Sequence, residues 1–212
     1  MFPESNNPQP EPSKESEQYS SQSSSSASEL GSYFKEILKF VAIAVVIVVP
    51  VRLFVAQPFI VSGSSMYPTF KNGQYLIVDE ISYDFHKPER GDVIVFHYPK
   101  DPSKYFIKRV IGLPGETVDI RDGHVYIKNA AHPNGFELSE PYVKDPSSET
   151  MTRTLGQGEY FMMGDNRAAS SDSRVWGPLP ANLIVGRTLL RLFPVQSIKI
   201  HPGEVSSSSS GT

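Results

Sequence analysis

Three segments of the chain carry side chains that could take part in nucleophilic chemistry. The first is SGSSMYPTF, from Ser62 to Phe70. Small residues before Ser65 allow another backbone to approach closely, and Pro68 fixes the turn that follows. A serine in this place can be exposed and rigidly held, so Ser65 is a candidate nucleophile. The alternative interpretation is a plain Ser/Gly/Pro loop.

The second segment, YFIKRVIGLPGE, runs from Tyr105 to Glu116 and has the pattern of a β-strand. Strand side chains alternate between two faces, so Lys108 and Arg109 point in opposite directions, and one of them is expected to face apolar surroundings. A lysine held there is driven towards its neutral form, which is a competent general base, whereas arginine stays protonated. Lys108 is therefore a candidate base; the alternative is a solvated or snorkelling cation.

The third segment, GDNRAASSDSRVWG, runs from Gly164 to Gly177 and carries two Asp and two Arg among short hydrogen-bonding side chains. This composition is typical of a rigid loop held by side-chain-to-backbone bonds and ion pairs. It predicts either a purely structural turn network or a loop that orients a catalytic side chain.

The rest of the composition excludes several kinds of chemistry. The chain has no cysteine, which excludes disulfides, thiolate zinc sites, iron–sulfur clusters and cysteine nucleophiles. A Ser-His-Asp triad stays open as an alternative, although no Gly-x-Ser-x-Gly elbow is present. The net charge of −3 argues against a globally basic nucleic-acid-binding protein. The histidines are scattered and form no zinc motif: His86, His97, His124, His132 and His201.

The amino-terminal part divides into a polar tail and an apolar segment. Residues 1–32 hold five acidic residues, one basic residue and a serine run, and such a segment cannot bury enough apolar surface to fold. We predict disorder there and in residues 202–212. Residues 33–56 are predicted to form a single transmembrane anchor, because Ile37 to Ala56 gives 20 largely apolar residues. A buried core helix or strand and a cleaved secretory signal are the alternatives.

Residues 57–201 are long enough to form one core and have the pattern of β-structure. The sequence Arg121-Asp122-Gly123-His124 predicts a hairpin turn, because Asp-Gly readily adopts positive φ angles. Residues 132–154 are predicted to be loop-rich. The predicted strands are Gln74–Glu80, Asp92–Tyr98, Tyr105–Ile111, Glu116–Arg121, His124–Lys128, Glu159–Met163 and Leu183–Phe193.

Taken together, these segments resemble bacterial type I signal peptidase, a membrane-bound Ser–Lys peptidase that removes signal peptides. The match extends from the predicted anchor to about Phe193. One motif alone would be weak evidence, but four in the family's order are highly specific. They are SMYPT at Ser65–Thr69, GDVIVF at Gly91–Phe96, KRVIGLPG at Lys108–Gly115, and GDNR at Gly164–Arg167 with SSDSR at Ser170–Arg174.

The resemblance implies a role for each matching residue. Ser65 would be the nucleophile, its backbone N–H would stabilise the oxyanion, and Lys108 would be the general base. Ser170 would hydrogen-bond the lysine and orient it. The residues that would support this arrangement are Asp172 and Arg174, as an ion pair, and Asp165, which would help to hold their loop.

The resemblance also implies how the substrate binds. It would lie extended as an added strand, with small side chains at positions −1 and −3 in shallow pockets that exclude bulk. These pockets would be lined by Phe59, Val61, Met66, Phe70, Phe106 and Ile107. Some family members have a serine two residues before the nucleophile as an extra oxyanion donor, where this chain has Gly63. That donor is then absent, or Ser62 or Ser64 replaces it.

The same resemblance implies the fold and the cellular setting. The fold would be mainly β, with one N-terminal transmembrane helix and an antiparallel catalytic domain of coiled, partly barrel-like sheets. A smaller β insertion would lie near residues 123–156. The partners would be preprotein signal peptides, the lipid bilayer and the nearby export translocon, with no nucleic acid. The enzyme would sit in the cell membrane with a cytoplasmic N-terminus and an extracytoplasmic catalytic domain, and would need neither cofactor nor metal.

Two rival functions remain at this point. A self-cleaving repressor-type peptidase shares the Ser–Lys pair, but the predicted anchor and the acidic, serine-rich N-terminus argue against it. A catalytically silent, membrane-anchored β module that binds exported peptides is the second rival. The presence of both Ser65 and Lys108 argues against silence. The last motif also departs from the frequent Arg-Asp-Asn-Ser form, with Ala168 and Ala169 in its middle.

Overall fold

The computed structural model describes residues 33–48 and 56–204. The chain divides into two compact units, Met1–Pro50 and Val51–Thr212. In the first unit, residues 33–48 form a helix, α1, along which apolar side chains are exposed. Within the described ranges, no helix has both the length and the apolar character that a membrane crossing requires. The predicted tail 1–32, residues 49–55 of the predicted anchor and residues 205–212 lie outside the described residues.

The second unit is built from strands and two short helices, α2 (Ser82–Phe85) and α3 (Ser173–Trp176). Its strands are short and mostly bounded by turns that contain Gly or Pro, as the sequence predicts. In chain order they are β1 Ala56–Ile60, β2 Tyr75–Asp79, β3 Val93–Tyr98, β4 Asp101–Gly112, β5 Thr117–Arg121, β6 His124–Lys128, β7 Phe136–Glu137, β8 Met151–Thr154, β9 Glu159–Met163, β10 Leu179–Pro180, β11 Ile184–Phe193 and β12 Lys199–Ile200.

These strands form two antiparallel sheets. The larger has the order β1-β2-β11-β3-β4-β9-β10, with β12 paired to β11, and the smaller has the order β7-β6-β5-β8. The prediction of a mainly β, antiparallel domain is therefore confirmed. The larger sheet ends at β1 and β10, so the described strands do not close into a barrel.

All seven predicted strands are present. The largest difference between predicted and observed bounds is at the start of β4. That strand begins at Asp101, because β3 and β4 form a tight hairpin in which Tyr98 pairs with Asp101. The predicted turn between β5 and β6 is also present, with positive φ angles at Asp122 and Gly123. The smaller sheet includes β5 and so begins at Thr117, before residue 123, where the sequence placed the insertion.

The core that supports the first candidate segment lies directly beneath it. Apolar side chains from β2, β3 and Val61, the residue after β1, meet those of the segment and exclude water from its underside. A second cluster packs between β3, β4 and β9 around Trp176 of α3. The first cluster contains Val61, Met66, Phe70, Leu76 and Val93, with Ile107 packed against it.

The segment after β12 is packed against the larger sheet. Pro202 is buried, and its carbonyl accepts a hydrogen bond from the Thr188 hydroxyl (3.2 Å). The carbonyl of Gly203 accepts one from Arg109 Nη1 (2.6 Å). The predicted disordered tail at 202–212 is thus wrong for residues 202–204, because a buried arginine and a buried threonine need carbonyl acceptors there.

Candidate active site

Ser65 lies in a tight loop that leaves the end of β1. Tyr67 N donates to Ser64 O (3.0 Å) and Phe70 N donates to Met66 O (2.8 Å), so the loop is held by its own turns. Gly63 has a φ of +91°, a conformation that L side chains rarely adopt. A serine at position 63 would be strained in this backbone, so the structure accounts for the glycine found there.

Lys108 approaches Ser65 from β4. Its side-chain nitrogen lies 2.7 Å from Ser65 Oγ and also donates to the carbonyl of Ile107 (2.9 Å). Only 4% of Lys108 is exposed. The two residues are 43 positions apart in sequence and meet only through the fold.

Burial changes the acid–base behaviour of this lysine. Desolvation lowers the pKa of Lys108 to about 8, although the negative charges of Asp172 and Asp165 act in the opposite direction. A lysine with this pKa is partly neutral near pH 8 and can accept a proton. The local chemistry is therefore that of a serine hydroxyl in contact with an available base.

Arg109, next to Lys108, is buried as well, whereas the sequence led us to expect apolar surroundings for only one of the two. The strand is covered on both faces, and Arg109 is fully buried. Its guanidinium binds both carboxylate oxygens of Asp165, at 2.8 and 2.7 Å. This bidentate pair supplies the countercharge that a buried arginine requires.

Asp165 connects the first and third candidate segments. Besides Arg109, its carboxylate accepts a hydrogen bond from the hydroxyl of Thr69, at 2.5 Å. Asp165 therefore fixes the Ser65 loop to the loop that follows β9. The sequence-based expectation that Asp165 holds a loop in place agrees with this geometry.

Asp172 and Arg174 form the ion pair that the resemblance implied. Arg174 donates to both Asp172 oxygens, at 2.8 and 2.9 Å, and the Asp172 side chain also accepts from the Arg174 backbone N–H at the start of α3. Asp172 is fully buried, and the Gly164 N–H donates to it as well (3.1 Å). The pair therefore closes the loop 164–172 on itself.

Ser170 does not make the hydrogen bond to Lys108 that the resemblance implied. Among the described residues its hydroxyl oxygen is buried without a hydrogen-bond partner. It nevertheless lies close to the site, because a side chain at Gly164 would collide with both Ser170 Oγ and Ser65 O. Gly164 thus allows these two loops to approach each other. The lysine instead donates to Ser65 and Ile107.

A cavity of about 600 Å³ opens beside Ser65 and Lys108. Four of the six predicted pocket residues line it: Phe59, Val61, Phe106 and Ile107. The prediction is wrong for Met66 and Phe70. Their side chains pack into the core beneath the Ser65 loop and do not line the cavity.

Sequence reasoning missed several residues of this site. Tyr105, Leu76 and Val95 also line the cavity. Strand alternation could have suggested Tyr105, which shares a face with Ile107, but Leu76 and Val95 reach the cavity only through the pairing of strands. Asn166, quoted in a motif but given no role, contacts the Ser65 loop. Within residues 33–48 and 56–204, no group of three His, Asp or Glu residues is placed to hold a metal ion.

Comparisons with known proteins identify the family to which the chain belongs. The family described as signal peptidase, peptidase S26, matches residues 34–193. A probable signal peptidase I-1 of Synechocystis is 41% identical over 170 residues, covering 76% of this chain and 84% of that protein. Signal peptidase IB of Staphylococcus aureus is 33% identical over 187 residues, covering 78% and 94%. A crystal structure of an Enterococcus faecalis signal peptidase I, 36% identical, covers 48% of this chain and 97% of that chain with a TM-score of 0.41.

The family match and the sheet topology together show that the protein is a serine endopeptidase with an antiparallel β catalytic domain. Within that class, the chain belongs to the signal peptidase family, peptidase S26, and is of the signal peptidase I type.

Proposed function

We propose that this protein is a membrane-anchored endopeptidase that removes N-terminal signal peptides from exported preproteins, with Ser65 as nucleophile and Lys108 as general base. The observation that carries the proposal is the 2.7 Å contact between Lys108 Nζ and Ser65 Oγ, formed by a lysine whose pKa burial lowers to about 8. The names and identities of the relatives support the substrate class.

The reaction follows from the positions of these two side chains. Neutral Lys108 takes the proton of the Ser65 hydroxyl while the oxygen attacks the scissile carbonyl. The tetrahedral intermediate collapses to an acyl-enzyme, and the new amino terminus leaves with the proton that Lys108 held. A water molecule, deprotonated by Lys108, then attacks the ester and releases the signal peptide.

The oxyanion of the tetrahedral intermediate needs a hydrogen-bond donor near Ser65. The backbone N–H of Ser65 makes no hydrogen bond with any described residue, so it is available for this role. With glycine at position 63, no hydroxyl at that position can assist it.

The supporting residues act by fixing these groups. In the proposal, the Asp165–Arg109 and Asp172–Arg174 pairs hold the Ser65 loop and the loop 164–172 at a constant separation. Ser170, whose buried hydroxyl has no partner among the described residues, accepts a hydrogen bond from Lys108 when the lysine leaves Ser65 during the reaction.

In the proposal, the substrate strand binds between β1 and residues 105–108 of β4. Residues 105–108 of β4 pair with β3 on one side, whereas β9 pairs with β4 only from Arg109 onward, so no described strand occupies the other edge of this stretch. β1 ends the sheet and offers a second free edge. A peptide bound along these edges would place small side chains at −1 and −3 over Phe59, Val61 and Ile107.

The membrane setting of the enzyme is part of the same proposal. The apolar residues 33–56 would anchor it in the cell membrane, with the N-terminus cytoplasmic and the catalytic domain outside, close to the export translocon. The exposed apolar side chains of α1, such as Phe40 and Val46, support contact with lipid. Signal peptides leaving the bilayer would then arrive next to Ser65.

The test is cleavage of a preprotein with an Ala-x-Ala site, in detergent or lipid, by the intact protein and by Ser65→Ala and Lys108→Ala variants. We expect only the intact protein to cut, and to cut after that site. Circular dichroism and thermal melting show whether the variants are folded. Equal cutting by all three would refute the Ser–Lys mechanism. No cutting by three folded proteins would favour the rival function, a silent peptide-binding module.

A further inference from the structure

We infer that Asn166 is a positioning residue for the oxyanion donor, and that its side-chain amide sets the direction of the Ser65 N–H. The inference rests on the proposed function, since it concerns the same reaction. It assigns a role to a residue that lies outside the cavity lining and makes no hydrogen bond to Lys108 or to the Ser65 hydroxyl.

Asn166 holds the Ser65 loop at two adjacent carbonyl groups. Its side-chain Nδ2 donates to the carbonyl of Ser64 (3.2 Å), and its backbone N–H donates to the carbonyl of Ser65 (3.0 Å). The Ser64 carbonyl accepts a second hydrogen bond, from the backbone N–H of Tyr67 (3.0 Å). Both carbonyls next to the nucleophile are thus bound from the loop 164–172.

The first of these bonds bears directly on the oxyanion donor. The Ser64 carbonyl and the Ser65 N–H belong to the same peptide group, which is planar and trans, so the two point in opposite directions. Fixing the oxygen from one side therefore fixes where the N–H points on the other. Hydrogen bonding to the oxygen also polarises the peptide group and strengthens the N–H as a donor.

The loop that carries Asn166 is itself held rigidly. Arg167, the next residue, donates from Nε to the Gly164 carbonyl (3.1 Å) and pairs with the carboxylate of Glu140, and the arginine is almost completely buried. Gly164 also lies so close to the Ser65 carbonyl that a side chain at position 164 would collide with it. The backbone that carries the Asn166 side-chain amide is therefore held in place, as a positioning role requires.

A simpler role would be to fasten the two loops together, and the two roles predict different kinetics. If Asn166 only fastened the loops, its removal would lower the stability of the protein or weaken substrate binding. If it positions an oxyanion donor, its removal acts mainly on the transition state and so lowers kcat. An Asn166→Ala change separates them, because it removes the side-chain donor and keeps the backbone hydrogen bond to Ser65 O.

The experiment compares the intact protein with Asn166→Ala and a control, Asn129→Ala. Asn129 also donates one side-chain hydrogen bond, to Glu116 (2.9 Å), but lies outside the site. Four quantities are measured at a pH above the titration of Lys108: kcat and KM on a preprotein, the inhibition constant of a peptide aldehyde, and the melting temperature. The aldehyde forms a tetrahedral adduct with Ser65 and so reports on the oxyanion donor.

For Asn166→Ala we expect kcat to fall roughly tenfold, below the ~10²–10³-fold loss when an oxyanion donor is removed altogether. The aldehyde should bind weaker by a similar factor, with KM changed less than about twofold. Asn129→Ala should keep the intact protein's kcat at a comparable melting temperature. If Asn166→Ala does not fold, Asn166→Asp, which cannot donate, should show the same pattern.

Unchanged kcat and aldehyde binding in a folded Asn166 variant would overturn the inference. So would a rise in KM with kcat intact, which is the signature of loop fastening. The Ser65→Ala variant separates refutation of this inference from refutation of the proposed function. If Ser65→Ala is inactive while Asn166→Ala behaves as the intact protein, only the role of Asn166 is refuted.

Discussion

At the scale of single residues, the lysine side chain decides how the site behaves with pH. Lys108 is buried and has two carboxylates in its surroundings, Asp165 and Asp172, but each carboxylate is engaged by an arginine. The desolvation of Lys108 outweighs the effect of these two negative charges, and the pKa of Lys108 falls to about 8.

The pH dependence of cleavage follows from this. Protonated Lys108 cannot act as a base, so kcat/KM should rise with pH through about 8 and then level off. At pH 7 only about one tenth of the Lys108 side chains would be neutral. The measurement is a pH profile with a substrate that has no titrating group near its cleavage site. A rise centred near ~10.4, the ordinary pKa of lysine, would contradict the assigned burial effect.

At the scale of elements, the smaller sheet contributes to the site through the chain between β7 and β8. Glu140 from this stretch pairs with Arg167 of the loop 164–172, and both side chains are buried, with exposures of 9% and 2%. Glu149 pairs with Arg174 at 2.9 Å but is itself 55% exposed. The stretch between β7 and β8 therefore supplies countercharges to Arg167 in the loop 164–172 and to Arg174 in α3.

These two glutamates form a matched pair for mutagenesis. Glu140→Gln should lower the free energy of unfolding by about 3–5 kcal/mol, because it leaves Arg167 buried without its countercharge. Glu149→Gln should cost less than about 1 kcal/mol, because its carboxylate is exposed and Arg174 keeps Asp172. Urea denaturation of both variants provides the comparison. Equal losses would show that the burial of Glu140 has no energetic consequence.

The segment after β12 is a second element with a testable role. Gly203 has a φ of +92°, and a Cβ there would lie 2.9 Å from Val93 Cγ2 and 3.1 Å from Phe70. Gly158 has a φ of +74° with no atom within 4 Å of such a Cβ, so it shares the backbone strain without the crowding.

Gly203→Ala should therefore destabilise the protein more than Gly158→Ala. Backbone strain alone costs about 1–2 kcal/mol, and crowding should add roughly 1–3 kcal/mol at position 203. Thermal and urea unfolding measure both losses. The same loss at both positions would mean that the segment 201–204 leaves the sheet at little cost, and that Arg109 does not depend on the Gly203 carbonyl.

At the scale of the whole molecule, the second unit contains every described residue of the site together with both sheets. Its core clusters are formed within that unit. A chain that begins at Ala56 should therefore fold without the preceding residues and unfold cooperatively. Far-UV circular dichroism and urea denaturation would test this. A gradual, non-cooperative loss of β signal would show that the preceding residues are needed for the fold.

Much of this architecture was predictable from local sequence. Short stretches rich in Val, Ile, Tyr and Phe and separated by Gly or Pro identified seven strands, and Asp122-Gly123 identified the turn between β5 and β6. Such features depend on neighbouring residues only, through backbone preference and alternation of faces. The same local patterns could not predict which strands pair, since β11 lies between β2 and β3 in the larger sheet.

The sequence by itself determined the family, the mainly β fold and the candidacy of Ser65, Lys108, Asp165, Asp172 and Arg174, because motif identity and strand pattern are local properties. Only the tertiary structure decided which groups meet. It brought Lys108 to Ser65 across 43 residues and buried Arg109 beside it. It also turned Met66 and Phe70 into the core, left the Ser170 hydroxyl without a hydrogen-bond partner among the described residues, and directed Asn166 to the Ser64 carbonyl. The physical reason is that burial and hydrogen-bond partners depend on packing between segments distant in sequence.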